Sequence, residues 1–128
     1  MSEQEIMQEL NQINSYLSKC LWMDFEFCQM SFIKIVLSGK VDELNEEPDI
    51  EIEFEYPYFI STVFLLHIDT SKPFIQLVSE DEEYELNTKY QVEYGNYIFK
   101  INVEDFEHSP MFVAAKKIKC KILNRTPF

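Results

Sequence analysis

Residues 49–69 read DIEIEFEYPYFISTVFLLHID, a strict alternation that passes into an almost unbroken apolar run. Ile50, Ile52, Phe54 and Tyr56 fall on one face of an extended chain, and Asp49, Glu51, Glu53 and Glu55 on the other. Strand side chains alternate faces with period two, so this stretch predicts a half-buried strand and not a helix. Glutamate is a poor strand former, which leaves the apolar face to supply the stabilisation. Pro57 cannot donate to a ladder and marks an edge, a bulge or a corner. Residues 58–68 are largely apolar on both faces and predict a central strand. The run is too short for a membrane helix, which needs ~20 apolar residues.

A counterpart lies near the C-terminus. Ile118, Cys120 and Ile122 face one way and Lys117, Lys119 and Lys121 the other. This strand is basic where residues 49–56 are acidic, and opposite charges on facing strands contribute roughly 0.2–1 kcal/mol per pair. The two are expected on one sheet; were they adjacent, part of the acidic face would be neutralised internally.

At the other end, residues 2–21 predict a helix. Ser2 followed by Glu5 is a capping-box pattern. Ile6, Leu10, Ile13, Leu17 and Leu21 form one apolar stripe. Between helix and basic strand, residues 22–27 read as an aromatic junction, and strands are expected at 30–38, 74–78, 90–94, 97–103 and 111–115. Gly95-Asn96 is a two-residue hairpin signal. No stretch after Leu21 has helical periodicity long enough for a crossover helix. The fold class is therefore α+β: an N-terminal amphipathic helix packed on a mainly antiparallel β-sandwich or open barrel of about seven strands. The chain reads as one domain over 1–128, with a β-rich body at 30–123 and a loose tail at 124–128.

Charge is the strongest global feature. Eleven Lys and Arg oppose 23 Asp and Glu, a formal net charge of −12. Such a surface repels nucleic acid and anionic membranes and suits a basic protein partner. The candidate partner-binding residues fall in three groups. Asp42, Glu43, Glu46 and Glu47 lie in an acidic loop, and Glu51, Glu53 and Glu55 on the acidic strand face. Glu80, Asp81, Glu82 and Glu83, with Tyr84 beside them, form a second block read as a solvated hairpin loop.

Little here points to catalysis. His67 and Asp69 share a strand face and could give two metal ligands, but a zinc site wants three or four. The other histidine, His108, sits beside Glu107 in a loop. There is no GxSxG, P-loop or GxGxxG, so no enzyme activity, metal or cofactor is expected. Three cysteines without CxxC spacing read as reduced thiols, and no signal peptide is evident, which together imply a cytoplasmic protein. The wealth of Ile, Lys, Glu, Asn and Phe suits an AT-rich bacterial or phage genome.

The N-terminal helix, WMDFEFCQMSFIKIVLSG at 22–39 and FVAAKKIKCKIL at 112–123 resemble the small acidic immunity proteins that neutralise bacterial polymorphic or contact-dependent toxins. The resemblance implies tight, non-catalytic binding of a cognate toxin such as a nuclease, whose cleft would accept carboxylates in place of phosphates. It transfers no particular residue. Two other functions are compatible with the residues: a structural subunit forming a homo-oligomer, and a carrier of a small apolar ligand in a Phe-rich barrel.

Overall fold

A computed structural model describes all 128 residues. Helix α1 (Glu3–Ser18) begins on the expected capping box: the Ser2 hydroxyl accepts the Glu5 N–H at 3.2 Å, and the Glu5 carboxylate accepts the Ser2 N–H at 3.1 Å. Ile6, Leu10, Ile13 and Leu17 are buried as one stripe, joined by Tyr16. The helix stops a turn short of Leu21. The N–H groups of Lys19 and Cys20 bond back to Tyr16 and Leu17, which closes the last turn and leaves Leu21 outside and exposed.

Seven strands follow: β1 (Met23–Met30), β2 (Lys34–Lys40), β3 (Ile50–Ser61), β4 (Leu65–Ile68), β5 (Ile75–Leu77), β6 (Tyr97–Ile101) and β7 (Met111–Ile122). They form one antiparallel sheet in the order β4-β1-β2-β3-β7-β6-β5. The architecture is thus a single curled sheet rather than two packed ones. Helix α1 packs on its inner face against β7 and β5. That face holds the main core, in which Phe25 stacks on Phe74 at 4.7 Å and Phe54 meets Phe99 at 5.5 Å.

The acidic and basic strands lie on one sheet, as their charges predict, and are neighbours at its centre. Glu51 lies opposite Lys121, Glu53 opposite Lys119 and Glu55 opposite Lys117. Ile50, Ile52 and Phe54 are fully buried behind them. Pro57 sits at a bulge where the β3–β7 register shifts. There Tyr56 adopts φ +52° and its ring turns out to solvent, so it leaves the face shared by Ile50, Ile52 and Phe54.

Several local expectations are corrected. Residues 58–68 are not one central strand. β3 runs through the bulge to Ser61, the chain leaves the sheet, and it returns as the edge strand β4. β4 buries Leu66 and Ile68 but exposes Leu65 and His67, so the unbroken apolar run did not require burial on two sides. Residues 22–27 are not a junction but the first half of β1. The strand expected at 30–38 is interrupted at 31–33, where the Ser31 hydroxyl accepts the N–H groups of Ile33 and Lys34 and sets a turn. Phe32 at its tip is 85 % exposed, and an apolar tip disguises a turn.

The second acidic block is not a hairpin loop. Glu80, Asp81, Glu82 and Glu83 form the first turn of a second helix, α2 (Glu80–Tyr90), capped by the Ser79 hydroxyl on the Glu82 N–H. No strand forms at 90–94: the helix takes Tyr90, the residues after it are irregular, and Gly95-Asn96 turns into β6 without closing a hairpin. The helix ends at Gln91 in the left-handed conformation, φ +53°. Packing of α2 on the outer face, through Leu86 against Val92, Ile98, Phe112 and Ala114, explains why β7 is apolar on both sides at its start and alternates only later. The tail is also held: Asn124 bonds to Asp49 through backbone and side chain, and Phe128 packs edge-on against Trp22 at 4.6 Å.

Candidate functional site

Three acidic groups enter with equal standing from the sequence, and their surroundings separate them. Glu51, Glu53 and Glu55 are half-buried on the outer face. Glu53 meets Lys34 at 3.0 Å and Lys119 at 3.5 Å, and Glu55 meets Lys119 at 2.6 Å. Burial acts to raise the Glu53 pKa, but the hydrogen bond and charge of Lys34, with Lys119, outweigh it and hold the carboxyl below its ordinary value. The same carboxylates raise the pKa of Lys119, chiefly through its hydrogen bond to Glu55. Glu53 and Glu55 are thus consumed within the fold, whereas Glu51 lies opposite Lys121 in register without an ion pair.

The α2 block is partly consumed as well. Glu82 is half-buried and bridges to Lys100 at 3.3 Å. Glu80, Asp81 and Glu83 are exposed at the positive end of the helix dipole, which favours them there. Tyr84 is 74 % exposed and makes no aromatic stack.

Asp42, Glu43, Glu46 and Glu47 share with Glu80, Asp81 and Glu83 exposure without an ion pair, but lie in a loop and not at a helix N-terminus. Asp42 accepts the Leu44 N–H at 2.9 Å, a local turn that presents Leu44 at 90 % exposure. The loop is pinned at its base by Asp49, which is buried. One Asp49 oxygen accepts the Val41 N–H at 3.0 Å and the other the Asn124 side-chain amide at 3.0 Å. Asn124 in turn offers its carbonyl to the Tyr16 hydroxyl at 2.5 Å. An exposed acidic loop is therefore anchored at its base by a buried, hydrogen-bonded carboxylate.

The fold brings further carboxylates to this loop. Glu43, Asp24 and Glu26 line one open cleft of about 510 Å³, with Lys40, Phe64 and Leu65. Asp24 and Glu26 were missed because 22–27 read as a junction. Their signal was present in the alternation of Met23, Phe25 and Phe27 with Asp24 and Glu26. The α2 block lines a different cleft with Glu3, Lys116 and Lys117, so the acidic groups do not merge into one surface.

His67 and Asp69 do not act together. The His67 ring lies between Asp24 on Nδ1 and Glu104 on Nε2, the latter at 3.1 Å. Its pKa is raised, chiefly by the Asp24 hydrogen bond, which outweighs burial acting to lower it, and further by the charges of Asp24, Glu104 and Asp105. Asp69 instead accepts from Ser71, backbone and hydroxyl. No group of three or more His, Cys, Asp or Glu side chains is arranged to hold a metal ion. No helix is long and apolar enough to cross a membrane. No family model, curated protein or solved structure matches this chain.

Proposed function

We propose that this chain is a non-catalytic binding protein that recognises a basic protein through the acidic loop at residues 41–48, acting in the cytoplasm as an inhibitor of the immunity type. The observation that carries this reading is the contrast among the acidic groups. Glu53 and Glu55 of β3 are paired with lysines, and Glu80, Asp81 and Glu83 sit at a helix N-terminus whose dipole offsets them, whereas Asp42, Glu43, Glu46 and Glu47 are exposed and unpaired on a loop anchored by the buried Asp49, with Glu43 beside Asp24 and Glu26. Carboxylates not diverted into intramolecular pairs steer an oppositely charged partner. Leu44, Phe64 and Leu65 add exposed apolar surface beside them, the combination of anchor and charged rim that a stable interface uses.

The test is capture of partners from the source cell at low and then high salt, followed by mass spectrometry. The expected result is one basic protein, released by salt. The variant Glu43→Lys/Glu46→Lys/Glu47→Lys should then slow its association by on the order of tenfold or more, with an unchanged unfolding midpoint. Capture that is insensitive to both salt and this variant would overturn the reading.

A further inference from the structure

The outer side of β1 is only half covered. β4 pairs with it from Met23 to Glu26, so residues 27–30 have β2 on one side and no strand on the other. Cys28, Gln29 and Met30 are exposed. The other edges are guarded. The Glu104 N–H bonds to the His67 carbonyl at 3.0 Å beside β4, and the Asn14 side chain bonds both N–H and C=O of Ile75 in β5.

A chain laid along the open part of β1 would alternate its side chains between two surroundings. On the outer face lies the cleft of Asp24, Glu26 and Glu43, in which Lys40 is the only cation. On the inner face, Met30 lines an apolar cleft of about 320 Å³ with Phe32, Ile35 and Tyr58. We propose that residues 27–30 of β1 are a docking edge for an extended segment of a basic protein, which joins the sheet as an added strand with its lysines or arginines toward Glu26 and Glu43 and its alternate apolar side chains in the Met30 cleft. This rests on the basic-partner reading and specifies where, and in what conformation, that partner binds. Main-chain hydrogen bonds to an open edge supply affinity, and alternate side-chain pockets supply specificity.

Charge decides against the other natural occupant of an open edge, a second copy of this chain. Edge-to-edge pairing of two copies would gather the carboxylates of both onto one continuous sheet face, with each chain already at −12.

Cys28 supplies the readout. It is exposed, whereas Cys20 is buried and the Cys120 thiol is pushed up to about 12, first by burial and then by the neighbouring Glu9 carboxylate. The rate of maleimide alkylation of Cys28 is measured with three end-capped peptides: lysine alternating with valine, lysine alternating with glycine, and glutamate alternating with valine. The expected result is that the lysine–valine peptide slows alkylation and binds roughly tenfold or more tightly than the lysine–glycine peptide. The glutamate–valine peptide should do neither, and Glu26→Lys/Glu43→Lys should abolish the protection. Equal binding of both lysine peptides without protection of Cys28, or no protection by any peptide, overturns the edge proposal. A sedimenting dimer with Cys28 already protected also overturns it, in favour of self-pairing. The two readings fail separately. Equal, unprotecting binding removes the edge while a basic partner stands, and recovery of no basic protein from the source cell removes the partner whatever the peptides do.

Discussion

Asn14 does for β5 what a flanking strand would do. Its amide donates to the Ile75 carbonyl at 2.8 Å, and its oxygen accepts the N–H groups of Phe74 and Ile75 at 2.9 and 3.2 Å. Replacement Asn14→Ala leaves a donor pair and an acceptor unmet at a half-buried site, so a loss of about 2 kcal/mol is expected from urea unfolding. Nothing in the helix pattern marks Asn14 off from Asn11, because its partners come from a distant strand. Gly39 is the second such residue. A Cβ there would stand 2.7 Å from both Ile50 Cγ2 and Phe25 Cε1, and Phe25 is held in turn by its stack on Phe74. Gly39→Ala should therefore destabilise by about 1–3 kcal/mol through overpacking, read as a lower urea midpoint with an unchanged slope.

Elements were legible where charge and periodicity agreed. Residues 50–54 and 118–122 could be placed on one sheet from sequence because each alternates and their exposed faces carry opposite charge. Helix α1 was legible from its capping box and stripe. Helix α2 was not, because it buries only Leu86 and has no stripe to detect. Its trace was Ser79 three residues before Glu82, with acidic residues through the first turn. That placement changes how the block can be probed. Reversing Glu80, Asp81 and Glu83 to lysine sets three cations on the positive end of a helix dipole, at about 0.3–1 kcal/mol each, so binding effects there would be mixed with helix loss. The C-terminus of α2 offers a gain instead. Gln91 is a left-handed residue with a side chain, and Gln91→Gly should raise stability by on the order of 0.5–1 kcal/mol. The Gln91 carbonyl would still accept the Tyr58 hydroxyl. A rise in the thermal midpoint checks this.

For the molecule as a whole, a titrating group bridges the curl. The chain leaving β6 crosses to β4, where Glu104 bonds the His67 backbone and, with Asp24, its ring. The folded-state pKa of His67 lies above its ordinary 6.5, so the clamp strengthens the fold most below that value. Its contribution is lost as pH rises through the folded pKa. His67→Gln should accordingly narrow its stability gap to the unmodified protein as pH is raised from about 5.5 to about 8.5, followed by urea midpoints at each pH. The contribution is modest because the ring is half exposed. The partners of His67 were not legible in the sequence, since Asp24 and Glu104 are distant in the chain and come to His67 only through the way the sheet bends.

The central pairing of β3 with β7 also bears on how the chain reaches this state. Its innermost matched residues, Ser61 and Phe112, are separated by all of β4, β5, α2 and β6. β1, β2 and β3 can zip locally, but the inner edge of β3 must wait for a remote segment, and such non-local topologies fold slowly, on the order of milliseconds to seconds. During that wait β3 presents a bare row of backbone groups, flanked by Glu51, Glu53 and Glu55 with most of their lysines still absent. Two such nascent edges repel one another until β7 arrives and discharges them. The glutamates thus serve as a temporary guard against aggregation as well as a ladder in the finished sheet.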